Sequence, residues 1–288
     1  MKIALGTAQF GMTYGISNLA GRVSLDDVRY ILQAAAAQGI DTLDTAIAYG
    51  DSESTLGQVG MGGWNVVTKL PVMPETCADV AGWVEAQVEG SLNRLGVCQL
   101  HGLLLHRPDQ LLGEQGVQLS EALQLIKTQG LTRKIGVSVY APEELDSLAG
   151  RLPFDLVQAP LNILDRRLVE SGWAEKLKNQ GTELHVRSAF LQGLLLMPAE
   201  RRPEKFSRWS SVWSEWHRWL GATHLTPLLA CLGYCLGIDG VDQVVVGVES
   251  VNQFNEIMST TYPTLPNLPN WLQPIDADLI NPGRWSKL

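Results

Sequence analysis

The chain has 288 residues, of which 45% are hydrophobic and 18% charged, and its mean hydropathy is +0.02. These values exclude a disordered chain and give enough core for one large α/β domain or two smaller ones. A formal net charge of −8 argues against a general nucleic-acid surface and says little about a small substrate.

Residues 2–6 are a short apolar run that reads as a first strand, too short for the core of a signal peptide. Ser24-Leu25-Asp26-Asp27 resembles a capping box, and the helix after it runs to about Gln38-Gly39. Strand two is expected at 41–46, followed by a helix after Gly50-Asp51-Ser52-Glu53, and strand three at 64–69. An amphipathic helix covers roughly 77–95, with Val80, Val84, Val88 and Leu92 on one stripe. Strand four is expected at 101–106, and a helix near 117–129 leads to strand five at 134–139. Pro142 sits in the first turn of the next helix, a favoured place for proline. Strand six at 154–159, a helix near 165–179 and strand seven at 183–189 follow. Two helical patterns, 208–221 and 226–236, precede strand eight at 243–247. A last helix spans 250–260, and the tail 261–288 reads as irregular, with five of the fourteen prolines.

Eight strand–helix units without a break in composition predict a single-domain (β/α)8 barrel over residues 1–288, with a doubly wound sheet as the alternative. In such barrels the chemistry sits at the C-terminal ends of the strands. Asp44, Tyr49, Lys69 and His106 all fall there: an acid, a phenol, an amine and an imidazole on consecutive units, a set able to move protons. Each alone has a plain structural reading as a turn cap, a packing ring, a surface charge or a backbone-bonded imidazole. His101 reads as structural.

The sequence resembles the aldo-keto reductases. The resemblance rests on Leu5-Gly6-Thr7-Ala8-Gln9-Phe10-Gly11, Asp44-Thr45-Ala46 through Tyr49-Gly50 and Glu53, Thr68-Lys69, Leu104-Leu105-His106-Arg107-Pro108, Ile135-Gly136-Val137-Ser138, Asp155-Leu156-Val157-Gln158 and Val246-Gly247-Val248-Glu249-Ser250. It implies reduction of a small aldehyde or ketone by NADP(H) or NAD(H), with a catalytic tetrad on Asp44, Tyr49, Lys69 and His106. Tyr49 would be the general acid, and Lys69 would lower its pKa as a neighbouring ammonium does. Asp44 would hold Lys69, and His106 would orient the carbonyl.

The resemblance also implies the cofactor contacts. Ser138 and Gln158 would hold the nicotinamide carboxamide, and Arg187 would stack on the ring; its structural alternative is a pair with a rim carboxylate. Gly6, Thr7, Ala8, Asp44, Ser188, Gly193 and Val248 would line the dinucleotide. Gly247 and the helix opening at Ser250 would take the phosphates. The chain departs from the common pattern at Val139, often asparagine, and at Gln253, often arginine. No lysine or arginine occurs between Arg218 and Arg284. Glu249 could accept from a free 2′-hydroxyl, so the choice between NADPH and NADH stays open.

Other features carry weaker expectations. Trp209, Trp213 and Trp216 form a stripe that reads as core, and Trp271 and Trp285 are candidate lids. Arg201-Arg202 reads as a solvated loop, with a clasp on the diphosphate as the alternative. Cys231 and Cys235 read as buried thiols, not metal ligands, and no metal is expected. A cytoplasmic monomer or weak homo-oligomer, without membrane or nucleic-acid partners, completes the reading. A regulatory barrel that binds nucleotide without turnover, or a Schiff-base lyase built on Lys69, are the alternatives in function.

Overall fold

In the computed structural model, residues 2–288 are described except Leu19, Thr261, Pro263, Thr264, Asn267 and residues 269–275. Eight parallel strands close into a barrel, each hydrogen-bonded to the next and β8 to β1. They are β1 (Ile3–Gly6), β2 (Thr42–Asp44), β3 (Asn65–Leu70), β4 (Leu100–Leu105), β5 (Thr132–Ser138), β6 (Leu156–Pro160), β7 (Glu183–Arg187) and β8 (Gln243–Gly247). Closure removes the open edges that a doubly wound sheet would keep, and rules out that alternative. The expected strands all form, with no end shifted by more than two residues and β8 as expected.

The helices in chain order are α1 (Ala8–Gly11), α2 (Leu25–Ala37), α3 (Ser52–Val59), α4 (Val80–Leu95), α5 (Gly116–Thr128) and α6 (Pro142–Leu148). After them come α7 (Arg167–Glu170), α8 (Trp173–Gln180), α9 (Ser210–Thr223), α10 (Pro227–Gly237), α11 (Val251–Met258) and α12 (Ala277–Ile280). Their starts follow local chemistry. Ser24 Oγ accepts from Asp27 N at the head of α2, and Asp79 Oδ1 accepts from Gly82 N at the head of α4. Gly96, with φ of 67°, ends α4 in the left-handed conformation that glycine adopts without strain. The single helix expected near 165–179 is two, because Gly172 (φ 79°) breaks the run. The tail is not irregular throughout: α12 and a 3-10 turn, Pro282–Lys287, pack back on the barrel. Trp285 is buried there against Phe206, ring centroids 4.9 Å apart, and its indole N–H donates to backbone carbonyls, so it is a packing residue and not a lid. Trp271 lies outside the described residues.

Inside the strands, Val67, Leu104 and Leu156 form an apolar layer of their own. Each stands two residues before a polar residue of its strand or strand end, Lys69, His106 and Gln158. Since side chains alternate along a strand, this layer is the floor of the site. Gly136 leaves room for β6: a Cβ there would lie 1.7 Å from the Leu156 carbonyl oxygen. Toward the strands' N-terminal ends, Glu183 collects His101 Nε2 (3.1 Å), His185 Nε2 (2.6 Å) and the Lys134 ammonium. His101 therefore has the structural place expected for it.

The remaining expectations about packing also resolve. Trp209, Trp213, Trp216 and Trp219 are all buried, and Trp216 stacks on Trp219. Cys231 and Cys235 are buried, and Cys235 Sγ donates to the Leu161 carbonyl. Arg202 lies over the Trp213 ring of α9 at 4.1 Å, meets His217 Nε2 at 3.2 Å and donates to the Met197 carbonyl, so it ties its loop to α9. Among the described residues no single helix is long and apolar enough to cross a membrane.

Leu104 is fully buried in the layer beneath the site. Leu104→Ala should cost about 2–5 kcal/mol, the usual range for a leucine-sized core cavity. Urea denaturation of the two proteins measures it.

Candidate active site

Asp44 ends β2 and Lys69 is the next-to-last residue of β3, so their side chains meet inside the barrel mouth. Lys69 Nζ donates to both Asp44 oxygens, each at 2.8 Å, and to the Thr45 carbonyl at 2.8 Å. All three N–H groups of the ammonium are thereby used. Lys69 has no exposed surface, and Asp44 is also buried. Burial pushes the Lys69 pKa down and Asp44 pulls it back up.

Tyr49 lies in the loop between β2 and α3. A hydroxyl network fixes that loop: Thr45 Oγ1 donates to Ser52 Oγ (3.0 Å), Ser52 Oγ to the Thr7 carbonyl (2.9 Å), and Thr7 Oγ1 to the Asp44 carbonyl (2.9 Å). Glu53 anchors the start of α3 from below, accepting from Thr68 Oγ1, Ser91 Oγ and Arg94 Nε. Lys69 Nζ stands 5.0 Å from the Tyr49 ring centroid, and the His106 ring meets Tyr49 edge-on at 5.9 Å. The four sequence-predicted tetrad residues therefore share one place.

One electrostatic expectation is corrected. The Tyr49 phenol is not lowered in this state: burial first, then the Asp44 carboxylate, push it well above the ordinary tyrosine value. The cation that pulls it back is Arg187. The physical reason is that loss of hydration and the nearby Asp44 carboxylate both favour the neutral phenol.

Ser138 Oγ donates to Gln158 Oε1 at 3.2 Å, and Gln158 Nε2 donates to Asp44 Oδ1 at 2.6 Å. The two carboxamide candidates thus touch each other and the tetrad. Arg187 lies with its guanidinium 4.5 Å from the Tyr140 ring centroid and donates to the Val139 carbonyl. Among the described residues it makes no ion pair, so the alternative of a rim carboxylate partner does not hold. Sequence reasoning passed over Tyr140 and Tyr14. Loss of hydration, then the neighbouring Tyr49, push the Tyr14 phenol up, and its oxygen accepts from Gln192 Nε2 (3.3 Å). Neither tyrosine has a spacing signal, because both sit in loops that only the fold brings over the mouth.

The other candidates are placed as follows. Gly6 pairs with Asp44 on one side and Gly247 on the other. Thr7 and Ala8 are buried at the start of α1, and Thr7 is engaged in the hydroxyl network. Ser188 has a φ of 64° and its carbonyl accepts from Asn162 Nδ2. Gly193 (φ 89°) lies where a Cβ would be 2.0 Å from Ser17 Oγ, so glycine is what lets the loop after β7 press on the loop after β1. Val248 is buried. Ser250 caps α11 through Gln253 N, and Gln253 Oε1 accepts from Glu249 N at 2.8 Å.

His106 is pushed down to about 4, by burial first and then by the Lys69 and Arg187 charges. It is a neutral imidazole above about pH 5. The unfolded chain, with His near 6.5, binds more protons between pH 6.5 and 4, so this residue lowers stability progressively as pH falls through that window. A 15N NMR titration should show no His106 midpoint between pH 5 and 8.

A sequence profile described as the aldo/keto reductase family matches residues 2–265. The Bacillus subtilis aldo-keto reductase YhdN is 27% identical over 67% of this chain and 60% of its own length. The Agrobacterium fabrum 6-dehydroglucose reductase is 30% identical over 44% of this chain and 48% of its own length. The chain thus matches about half to three-fifths of these relatives. Among solved structures, the aldo-keto reductase AKR11C1 from Bacillus halodurans in its holo form superposes with a TM-score of 0.70 at 21% identity, over 90% of this chain and 85% of that one. The glycerol dehydrogenase AKR11B4 from Gluconobacter oxydans gives 0.68 at 21% identity, over 92% and 88%. The barrel is theirs in fold, and the profile match across nearly the whole chain makes this protein a member of the aldo/keto reductase family.

Proposed function

We propose that the protein reduces an aldehyde or ketone with NAD(P)H, and that Tyr49 delivers the proton. One observation carries the reading: a fully buried Lys69–Asp44 pair set beside a phenol and a neutral imidazole at the mouth of the barrel. A purely structural pair in that position has no need of the other two groups. The chemistry of the donor set fits the cofactor. Ser138 and Gln158 are both buried, and once they have bonded to each other they still offer an amide N–H and a hydroxyl lone pair, which match a primary carboxamide.

Ser138 and Gln158 would hold a reduced nicotinamide, which would serve as the hydride source. Tyr49 gives its proton to the carbonyl oxygen as negative charge builds on it, and the product is the alcohol. Lys69 stabilises the phenolate left behind, once one of its three N–H bonds turns from Asp44 or Thr45 toward the phenol. His106, neutral, donates a hydrogen bond that orients the carbonyl. Tyr14 and Tyr140 wall the site, and Arg187 keeps a positive charge beside it. The engaged Lys69 nitrogen argues against a Schiff-base role, which requires a free amine. Relatives named for a dehydroglucose and for glycerol make keto sugars, sugar aldehydes and small polyols the first substrates to try. The four cysteines are free thiols, in keeping with a reducing cytoplasm.

Tyr49→Phe should cut carbonyl reduction by at least ~10²-fold, the low end for general acid catalysis, with dinucleotide binding little changed. Lys69→Met should do the same. Stopped-flow and fluorescence titration check both, and undiminished turnover in Tyr49→Phe would remove the assignment. Dinucleotide binding by a wild type that turns over none of these substrates would favour the regulatory reading.

The cofactor's 2′-position should meet Glu249 and Gln253, with no cation on β8, α11 or the loop between them. A 2′-phosphate beside a carboxylate loses roughly 1–4 kcal/mol near a surface. Preference for NADPH over NADH should therefore be about ten-fold or less, which is ~1.4 kcal/mol. Glu249→Ala with Gln253→Arg should move it toward NADPH. Titration of both cofactors by tryptophan fluorescence is the measurement, and a thousand-fold NADPH preference in the wild type would mean another cation reaches the phosphate.

A further inference from the structure

Asp44 Oδ1 is shared. Lys69 Nζ donates to it at 2.8 Å from β3, and Gln158 Nε2 donates to it at 2.6 Å from β6. Gln158 and Lys69 have no exposed surface, so no water competes freely for the contact. The Gln158 oxygen is taken by Ser138 Oγ, which fixes the amide with its nitrogen toward Asp44. A primary amide has two N–H groups. One is spent on Asp44, and the other remains for a bound carboxamide.

An N–H donated to a carboxylate disperses its charge and favours its ionised form. Here the same donation also limits how strongly that oxygen can hold the ammonium. The limit matters because Lys69 has all three N–H groups committed within Asp44 and Thr45. Any help it gives the Tyr49 phenolate requires one of those bonds to yield.

We propose that Gln158 is a positioning residue for the Asp44–Lys69 pair: by sharing Asp44 Oδ1 it loosens the hold on the ammonium and ties the carboxamide pocket to the proton on Tyr49. This rests on the reading of the mouth under Proposed function. The titratable groups that face Lys69 and Tyr49 are Asp44 on β2, Tyr14 after β1, His106 after β4, Tyr140 after β5 and Arg187 on β7. Gln158, uncharged, touches this set at Asp44 Oδ1. Without its N–H, the full charge of Asp44 Oδ1 falls on Lys69 and Tyr49, and both hold their protons more tightly. The sign follows from Asp44 raising both groups in the intact protein.

The test uses Gln158→Met, of similar length and without donors. In cofactor-free protein labelled with 13Cε-lysine, the Lys69 signal is identified by its loss in Lys69→Met. Its titration midpoint should lie about half a pH unit or more higher in Gln158→Met than in the wild type, which is an effect of roughly half of the ~1.4 kcal/mol that one pH unit represents. The limb of the alcohol-oxidation pH profile that reports phenolate formation should move up with it. A Lys69 midpoint that stays put while dinucleotide binding weakens would overturn the proposal and leave Gln158 a carboxamide contact only. Should circular dichroism show Gln158→Met unfolded, the Gln158 side-chain amide of otherwise native protein is read by 15N NMR with and without Lys69→Met. A shift supports the coupling, and an unmoved resonance overturns it. Full carbonyl reduction by Tyr49→Phe would bring down the proposed function without touching the Lys69 measurement. A Tyr49→Phe enzyme that is dead, with an unmoved Lys69 midpoint, would bring down the present inference alone.

Discussion

Lys69 is an ammonium with no access to water, and the mouth of the barrel is arranged around that fact. Removing an ammonium from water costs several kcal/mol even after the protein relaxes. Asp44 offsets that cost only by coming into the interior as a second charge, which then needs donors of its own. Lys69 supplies two of them and Gln158 a third. The Thr45 carbonyl takes the last ammonium proton. Three strands, β2, β3 and β6, are thus tied to one carboxylate. Each of them must end where it does for the pair to close.

The loop that carries Tyr49 inherits its position from this pair and from two supports beneath it. The Thr7–Ser52–Thr45 hydroxyls join the ends of β1 and β2 to the first turn of α3. Glu53, one residue further on, is a buried carboxylate whose donors come from β3 and α4. A buried carboxylate is tolerable only when it is satisfied in this way. Both supports are polar, yet the hydroxyls and the Glu53 carboxylate are buried. Their effect is to fix the phenol at a set distance from the ammonium while the apolar layer of Val67, Leu104 and Leu156 closes the barrel below.

Above the pair the loops set the charge of the mouth. Arg187 lies over Tyr140 and makes no ion pair among the described residues, and its field reaches the phenols and the imidazole. It lowers Tyr14 and Tyr49, and it helps keep His106 neutral. The segment after β7 holds three non-glycine residues in left-handed conformations, Ser188, Leu191 and Gln192. Such backbone is sparsely populated and persists where its surroundings over-determine it. Here those surroundings are the loop after β1, which meets it through Ser17, Tyr14 and Gly193.

The barrel, and the gathering of polar residues at its mouth, were legible in the sequence. Eight apolar runs alternating with amphipathic segments leave few other ways to bury both, and polar residues at consecutive strand ends mark the rim. Asp44, Lys69 and His106 were legible for that reason, and Tyr49 through its fixed distance from Asp44. The ends of elements were less legible, since one or two residues of fraying cost little energy, and the α7–α8 break turned on a single glycine. Which polar groups share partners emerged from folding alone. Gln158 and Asp44 are 114 residues apart, and no local pattern encodes that contact or the division of Lys69's three protons. The sign of the Tyr49 shift depended on the same contacts. An ammonium read from the sequence as a free charge lowers a phenol's pKa, whereas in the folded site loss of hydration and the Asp44 carboxylate raise it.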